Sequence, residues 1–163
     1  MAAIFSIVIA YLIGCFPTAY LMGRLRKRLD IRQVGDKNVG AANVYRQVGR
    51  WSGLAVALID IGKGALAMGV SRWLDVSDRI ALVSGVAVVA GHNWPVFLGF
   101  KGGRGEAASV GVLLTLLPRE MLILIGVGLI PLIITRNLIF ASIFLFVPLP
   151  FVSWWFGAPV IHI

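Results

Sequence analysis

Long apolar runs alternate along this chain with short, highly charged interruptions. The first run covers residues 2–22, a polar stretch follows over residues 24–50, and apolar runs resume over residues 51–74 and 80–94. These runs approach the roughly 20 residues that an α-helix needs to cross a bilayer. Only helices and closed barrels satisfy their backbone in lipid. Uncharged runs of this length predict an all-α, polytopic transmembrane helical bundle. Beyond residue 107 the pattern weakens. Residues 107–117 are too short for a full crossing, Pro118, Arg119 and Glu120 interrupt, and residues 121–135 are short again and contain Pro131. This predicts a hairpin of two short helices, one of them not reaching fully across. A last run, residues 138–156, contains Pro148 and Pro150 and ends in Trp154 and Trp155, an interfacial aromatic belt. The expectation is about six spans, some short or broken, in one membrane domain, residues 1–163.

Composition sharpens this. Hydrophobic residues make up 59% and charged residues 13% of the chain, against about 25% charged in soluble domains. The first run lacks a basic leading region and a small-residue cleavage site, so it reads as a retained span rather than a secretion signal. Gly14 and Pro17 inside it predict close helix packing and a kink. The single cysteine, Cys15, offers neither a disulfide framework nor a metal cluster. No cofactor or metal is expected.

The net charge of +8 matters through its placement. Arg24, Arg26, Lys27, Arg28, Arg32, Lys37, Arg46 and Arg50 face only Asp30 and Asp36 in the first polar stretch. The positive-inside rule makes this stretch cytoplasmic and puts the N-terminus outside. Counting spans then makes the turn with Arg72, Asp75, Asp78 and Arg79 external, returns residues 91–108 and Arg136 to the cytoplasmic side, and leaves Ile163 outside. A basic cytoplasmic face suits acidic lipids and phosphorylated substrates. Membrane lipids and phosphorylated substrates are the expected partners, nucleic acid is not, and no oligomeric state follows.

Two polar loops carry the candidate chemistry, and span counting brings them to one face. Residues 91–108, GHNWPVFLGFKGGRGEAA, place Lys101 and Arg104 beside Gly102, Gly103 and Gly105. Glycines allow close backbone approach, successive N–H groups can form an anion nest, and the helix expected from Ala107 would aim its N-terminus at the same point. This reads as a phosphate site at a membrane surface; the alternative is a basic connector between spans. The spacing is not that of a P-loop. In residues 34–46, Gly35, Gly40, Asn38 and Asn43 supply turns and amide hydrogen bonds, and Arg46 supplies a forked donor suited to phosphate. Asp60 and Lys63, mid-span and three residues apart, share a helical face and can pair. Intramembrane charge marks either function or a structural ion pair. His92 could orient a substrate, act as a base or simply hydrogen-bond at a span end.

Four blocks, YLIGCFPTAYLMGRL, GDKNVGAANVYR, LIDIGKGAL and GHNWPVFLGFKGGRGEAA, in this order and spacing, resemble the bacterial acyl-phosphate:glycerol-3-phosphate acyltransferases of the PlsY type. The resemblance implies a small inner-membrane protein with its active site on the cytoplasmic side. It implies transfer of a fatty acyl group from acyl phosphate to the sn-1 hydroxyl of glycerol 3-phosphate, giving lysophosphatidic acid and phosphate without coenzyme A or a metal. The family's first motif resembles GSGNxGATNxxR; Gly35, Asn38, Gly40, Ala41, Asn43 and Arg46 match, while Asp36, Lys37 and Ala42 replace its serine, glycine and threonine. The second resembles GHxFPVFLxFKGGKGVAT and is taken to hold the phosphate of glycerol 3-phosphate. Gly91, His92, Pro95, Lys101, Gly102, Gly103 and Gly105 match, with Arg104 for its second lysine, Glu106 for its valine and Ala108 for its threonine. A third motif, with a His and an Asn near the family's C-terminus, has no counterpart.

Residue chemistry and resemblance together assign catalysis to Asp36, Arg46, His92 and Arg104. They assign substrate binding to Asn38, Gly40, Asn43, Lys101, Gly102, Gly103, Gly105, Lys63 and Asp60. Two other readings stay open at this point. One is a non-catalytic relative that binds phosphorylated lipid or an acyl donor. The other is a small transporter with Asp60 and Lys63 as coupling charges.

Overall fold

The computed structural model describes residues 1–159. Among the described residues every regular element is helical. The helices are α1 (Ala2–Gly14), α2 (Thr18–Lys27), α3 (Ala41–Gln47), α4 (Arg50–Trp73), α5 (Asp78–Asn93), α6 (Glu106–Leu116), α7 (Pro118–Thr135), α8 (Leu138–Phe146) and α9 (Leu149–Trp155). Five stretches are long and apolar enough to cross a membrane: Ala2–Lys27, Arg50–Trp73, Asp78–Leu98, Pro118–Thr135 and Leu138–Trp155. Helix α6 is the shorter sixth. The expected external terminus at Ile163 lies outside the described residues.

The differences from expectation have local causes. The first run continues to Lys27 rather than residue 22 because Arg24, Arg26 and Lys27 occupy the last turn of α2, where cations complement the helix dipole. Arg28, at φ 54°, closes the helix in the left-handed conformation. The expected kink is a full break. Pro17, at φ −87° and ψ 60°, forms an inverse γ-turn in which Thr18 N–H donates to the Phe16 carbonyl at 3.0 Å. Pro118, Arg119 and Glu120 do not interrupt the chain; they start α7. Proline at the first helical position loses no hydrogen bond and arrives with helical φ. Helix α7 therefore reaches 18 residues and is a candidate span, not a short hairpin arm. The last run breaks between α8 and α9, at Val147 and Pro148.

The chain forms two compact units, Met1–Val112 and a second starting at Leu113. In the first, α1 packs chiefly on α5, and α4 packs on both. Lipid supplies no hydrophobic drive between helices, so close contact rests on small residues and hydrogen bonds. A Cβ added at Gly91 would lie 3.0 Å from Cys15 N and 3.1 Å from Gly14 Cα. One added at Gly111 would lie 3.0 Å from Ala65 N, which sets α6 against α4. Ser6 Oγ contacts Ser71 Oγ and Ser84 Oγ, each at 2.9 Å, and so ties α1, α4 and α5 together. A core of Ala19, Ile31, Val39, Val44, Val56 and Leu98 gathers the ends of these helices with both polar loops. In the second unit α7 packs with α8 and α9. Met121, Leu124 and Ala141 are buried there, and the Arg119 guanidinium sits 3.9 Å from the Phe156 ring centroid.

Candidate active site

The first polar loop is built on Asp30. Its carboxylate accepts from Arg32 N and Nε at 3.0 Å and from Arg32 Nη2 at 2.8 Å, with Arg24 Nη2 at 3.4 Å. The Arg32 hydrogen bonds hold this carboxyl at about 2, well below its usual range, and Asp30 in turn raises Arg32. Arg24 and Arg32 both lie over the Tyr20 ring, at 5.3 and 5.0 Å. Arg32 Nη1 also reaches the Leu98 carbonyl at 3.5 Å, which links the two polar loops.

Asn43 is fully buried, and its amide nitrogen donates to the carbonyls of Ile31, Val34 and Asn38 at 3.0–3.1 Å. It therefore shapes the loop that presents its neighbours. Gly35 lies in the left-handed region, at φ 61°, and a Cβ there would meet Asn43 and Gln47. Asp36 Oδ1 accepts from Asn38 N at 3.2 Å, a local turn that fixes the carboxylate. Its Oδ2 receives Arg46 Nη2 at 2.6 Å across the start of α3. Both side chains remain partly exposed, Arg46 at 51% and Asp36 at 35%, so the guanidinium keeps free donors. Gly40 ends the loop in extended conformation ahead of α3.

The second loop folds back onto the end of α5. Gly102 N–H donates to Asn93 O and Gly103 N–H to His92 O, both at 3.1 Å. These two donors are turned inward, so the expected anion nest is narrower than the glycine run implied. The glycines serve close approach. A Cβ at Gly103 would collide with His92 Nε2 and come within 2.7 Å of Val39 O. Gly103 is thus where the two loops meet. Gly105 needs its glycine for another reason, a φ of 81°. Lys101 and Arg104 stand exposed on this loop.

Beneath the meeting point is a buried charge cluster. The expected pair forms, with Lys63 Nζ 3.0 Å from Asp60 Oδ1 and both side chains almost fully enclosed. That oxygen has no aligned hydrogen-bond donor, so the contact is one of charge rather than a directed hydrogen bond. His92 Nδ1 lies 3.8 Å from the same oxygen. Lys63 Nζ also reaches the Phe16 carbonyl at 3.4 Å. A cavity of about 10 Å³, lined among others by Thr18, Val39, Asp60, Lys63, His92 and Gly102, opens here; it has room for about one water.

The structure therefore brings the expected residues into three neighbouring groups: Asp36 with Arg46, the glycine loop with Val39, and Asp60 with Lys63 and His92. Sequence reading missed the Phe16 carbonyl as a partner of Lys63, and the Asp30 cluster. No local signal marked the first: Pro17 removes the N–H that would serve residue 13, not Phe16, and Lys63 reaches the Phe16 carbonyl only through the packing of α4 against the break.

Fold and site together define a multi-pass integral membrane protein whose cationic loops converge at one end of a helix bundle. The family model for glycerol-3-phosphate acyltransferase matches residues 4–163. The chain belongs to that family. It is 47% identical over 140 residues to "Glycerol-3-phosphate acyltransferase 4" of Dehalococcoides mccartyi, a match that covers 86% of this chain and 76% of that protein. A glycerol-3-phosphate acyltransferase of Thermoanaerobacter pseudethanolicus is 41% identical over 143 residues, covering 88% and 72%. Among solved structures, the chain resembles PlsY (YgiH), an integral membrane glycerol 3-phosphate acyltransferase, in its glycerol 3-phosphate form. The TM-score is 0.90 at 32% identity, covering 99% of this chain and 80% of that one. The lysophosphatidic acid form of the same enzyme gives a TM-score of 0.88 at 31% identity.

Proposed function

We propose that this chain transfers a fatty acyl group from acyl phosphate to the sn-1 hydroxyl of glycerol 3-phosphate, at the cytoplasmic leaflet of the inner membrane, with its N-terminus outside. The observation that carries the site assignment is the meeting of the Arg46 loop with the Lys101–Arg104 loop at Val39 and Gly103. This contact supports a site in which cations from both loops face two anionic substrates.

Acyl phosphate is already activated, because phosphate is a good leaving group. The protein has to position the two substrates and stabilise charge as it develops. Lys101 and Arg104 hold the phosphate of glycerol 3-phosphate, and the free donors of Arg46 face the acyl phosphate. The sn-1 oxygen attacks the acyl carbonyl carbon, an ester C–O bond forms, and the bond from that carbon to the phosphate oxygen breaks. The phosphate leaves with the bonding electron pair. Asp36 accepts the hydroxyl proton and passes it to the departing phosphate. Asn38, Gly40 and Asn43 hold Asp36 and Arg46 in place. His92 supports the glycine loop from beneath and orients the acceptor.

The Asp36–Arg46 ion pair also favours a second reading, a relative that binds phosphorylated ligands without turnover, because the carboxylate competes with a substrate phosphate for the guanidinium. Phosphate release by the purified chain given both substrates, with product mass identifying lysophosphatidic acid, separates the two. Acceptor-dependent turnover is expected. Saturable glycerol 3-phosphate binding without turnover would leave the binding reading. If Asp36 is the base, Asp36→Asn lowers turnover by about 10²-fold or more; an unchanged rate removes it from the mechanism.

A further inference from the structure

Asp60 and Lys63 place two full charges inside a membrane span, where each is costly unless its partners hold it in return. Neither lies on the loops that receive substrate, yet both contact what those loops rest on. Asp60 Oδ1 stands between Lys63 Nζ, at 3.0 Å, and His92 Nδ1, at 3.8 Å. The other edge of the same imidazole, Nε2, fills the space where a Cβ of Gly103 would be. The His92 carbonyl accepts the Gly103 N–H at 3.1 Å. One residue thus faces the buried charge on one side and the glycine loop on the other, by side chain and main chain together. Lys63 fixes the opposite end of the chain of contacts through the Phe16 carbonyl, at 3.4 Å, where Pro17 breaks the first span.

We propose that Asp60 and Lys63 are positioning residues, which set His92 and through it the Gly102–Gly103 turn that carries Lys101 and Arg104, the two cations for the phosphate of glycerol 3-phosphate. This rests on the functional reading above. It differs from a plain structural ion pair within α4 in what it predicts. A pair that only balanced its own two charges could be exchanged for a neutral pair of similar shape at little cost, with the loop undisturbed. A positioning pair could not, because His92 would lose its anionic partner.

The experiment compares the wild-type chain, Asp60→Asn and the double variant Asp60→Asn/Lys63→Met, all in lipid nanodiscs. The first measurement is hydrogen exchange at the Gly102 and Gly103 amides, with the amides around Ser6, Ser71 and Ser84 as an internal reference for the fold. The second is the KM for glycerol 3-phosphate against kcat. In both variants, Gly102 and Gly103 are expected to exchange about tenfold faster while the serine region is unchanged. The KM for glycerol 3-phosphate is expected to rise about tenfold with a smaller change in kcat. Wild-type exchange at Gly103 in the double variant would overturn the proposal and leave a structural ion pair within α4. Should Asp60→Asn not fold, the double variant, which leaves no unpaired buried charge, decides alone. A wild-type chain without turnover would overturn the functional reading, while the exchange measurement would still decide the positioning role.

Discussion

Gly103→Ala tests the meeting of the two loops most directly. No positive φ is involved at this position, so the effect is one of space alone. The added Cβ would collide with His92 Nε2 and lie 2.7 Å from Val39 O. Ordinary contact begins near 3.4 Å, so the loops must separate by about 0.7 Å at this point. Val39 is buried in the core that holds the first loop, and His92 is held from behind by the Asp60 cluster, so neither yields freely. Overpacking of this kind costs about 1–3 kcal/mol. A displacement near 1 Å at a reacting centre costs about 10²-fold in rate. Gly103→Ala is therefore expected to lower kcat/KM by roughly 10- to 100-fold, with the KM for glycerol 3-phosphate rising first. The assay is acceptor-dependent phosphate release at varied glycerol 3-phosphate. Gly62→Ala and Gly69→Ala on α4 are the controls, because a Cβ there meets nothing within 4 Å; both should keep wild-type kinetics. A folded Gly103→Ala chain with wild-type KM would refute the reasoning.

Arg46→Ala removes the forked donor of the first loop and should lower kcat by about 10²–10³-fold; phosphate-release kinetics check it, and unchanged kinetics would take Arg46 out of the site. Gly91→Leu drives a side chain into the Tyr11 carbonyl and Cys15 N of the first span. It should lower the unfolding temperature in detergent far more than Gly69→Leu at an open position, and equal losses would deny the close α1–α5 contact. Because the Asp30 carboxyl is held at about 2 against 3.8 ordinarily, its stabilising effect is complete above the ordinary value and fades as pH falls from about 4 towards 2. Asp30→Asn should therefore be less stable than wild type at pH 6, with the gap closing on acidification. A gap that stays constant down to pH 2 would contradict this.

The membrane class, the all-helical fold and the existence of two cationic loops could be read from the chain itself. Hydrophobic length is a local property, and bilayer thickness converts it directly into spans. The Asp60–Lys63 pair was legible for the same reason, since helical periodicity alone puts residues three apart on one face. The Pro118 boundary was misread because proline both ends helices and starts them, and only the hydrogen bonding around it decides which. The conformational roles of the glycines also needed the structure. Gly102, Gly103 and Gly105 look alike in sequence, yet two serve close packing with inward N–H groups and the third serves a left-handed backbone. Contacts between distant segments, such as Arg46 on Asp36 across the turn, His92 between Asp60 and Gly103, and Lys63 on the Phe16 carbonyl, depend on how helices approach one another. Sequence determines which residues carry the charge and where the chain crosses the membrane. Which of those charges meet depends on how closely the helices approach, which small residues permit at contacts such as α1–α5, α3–α4 and α4–α6.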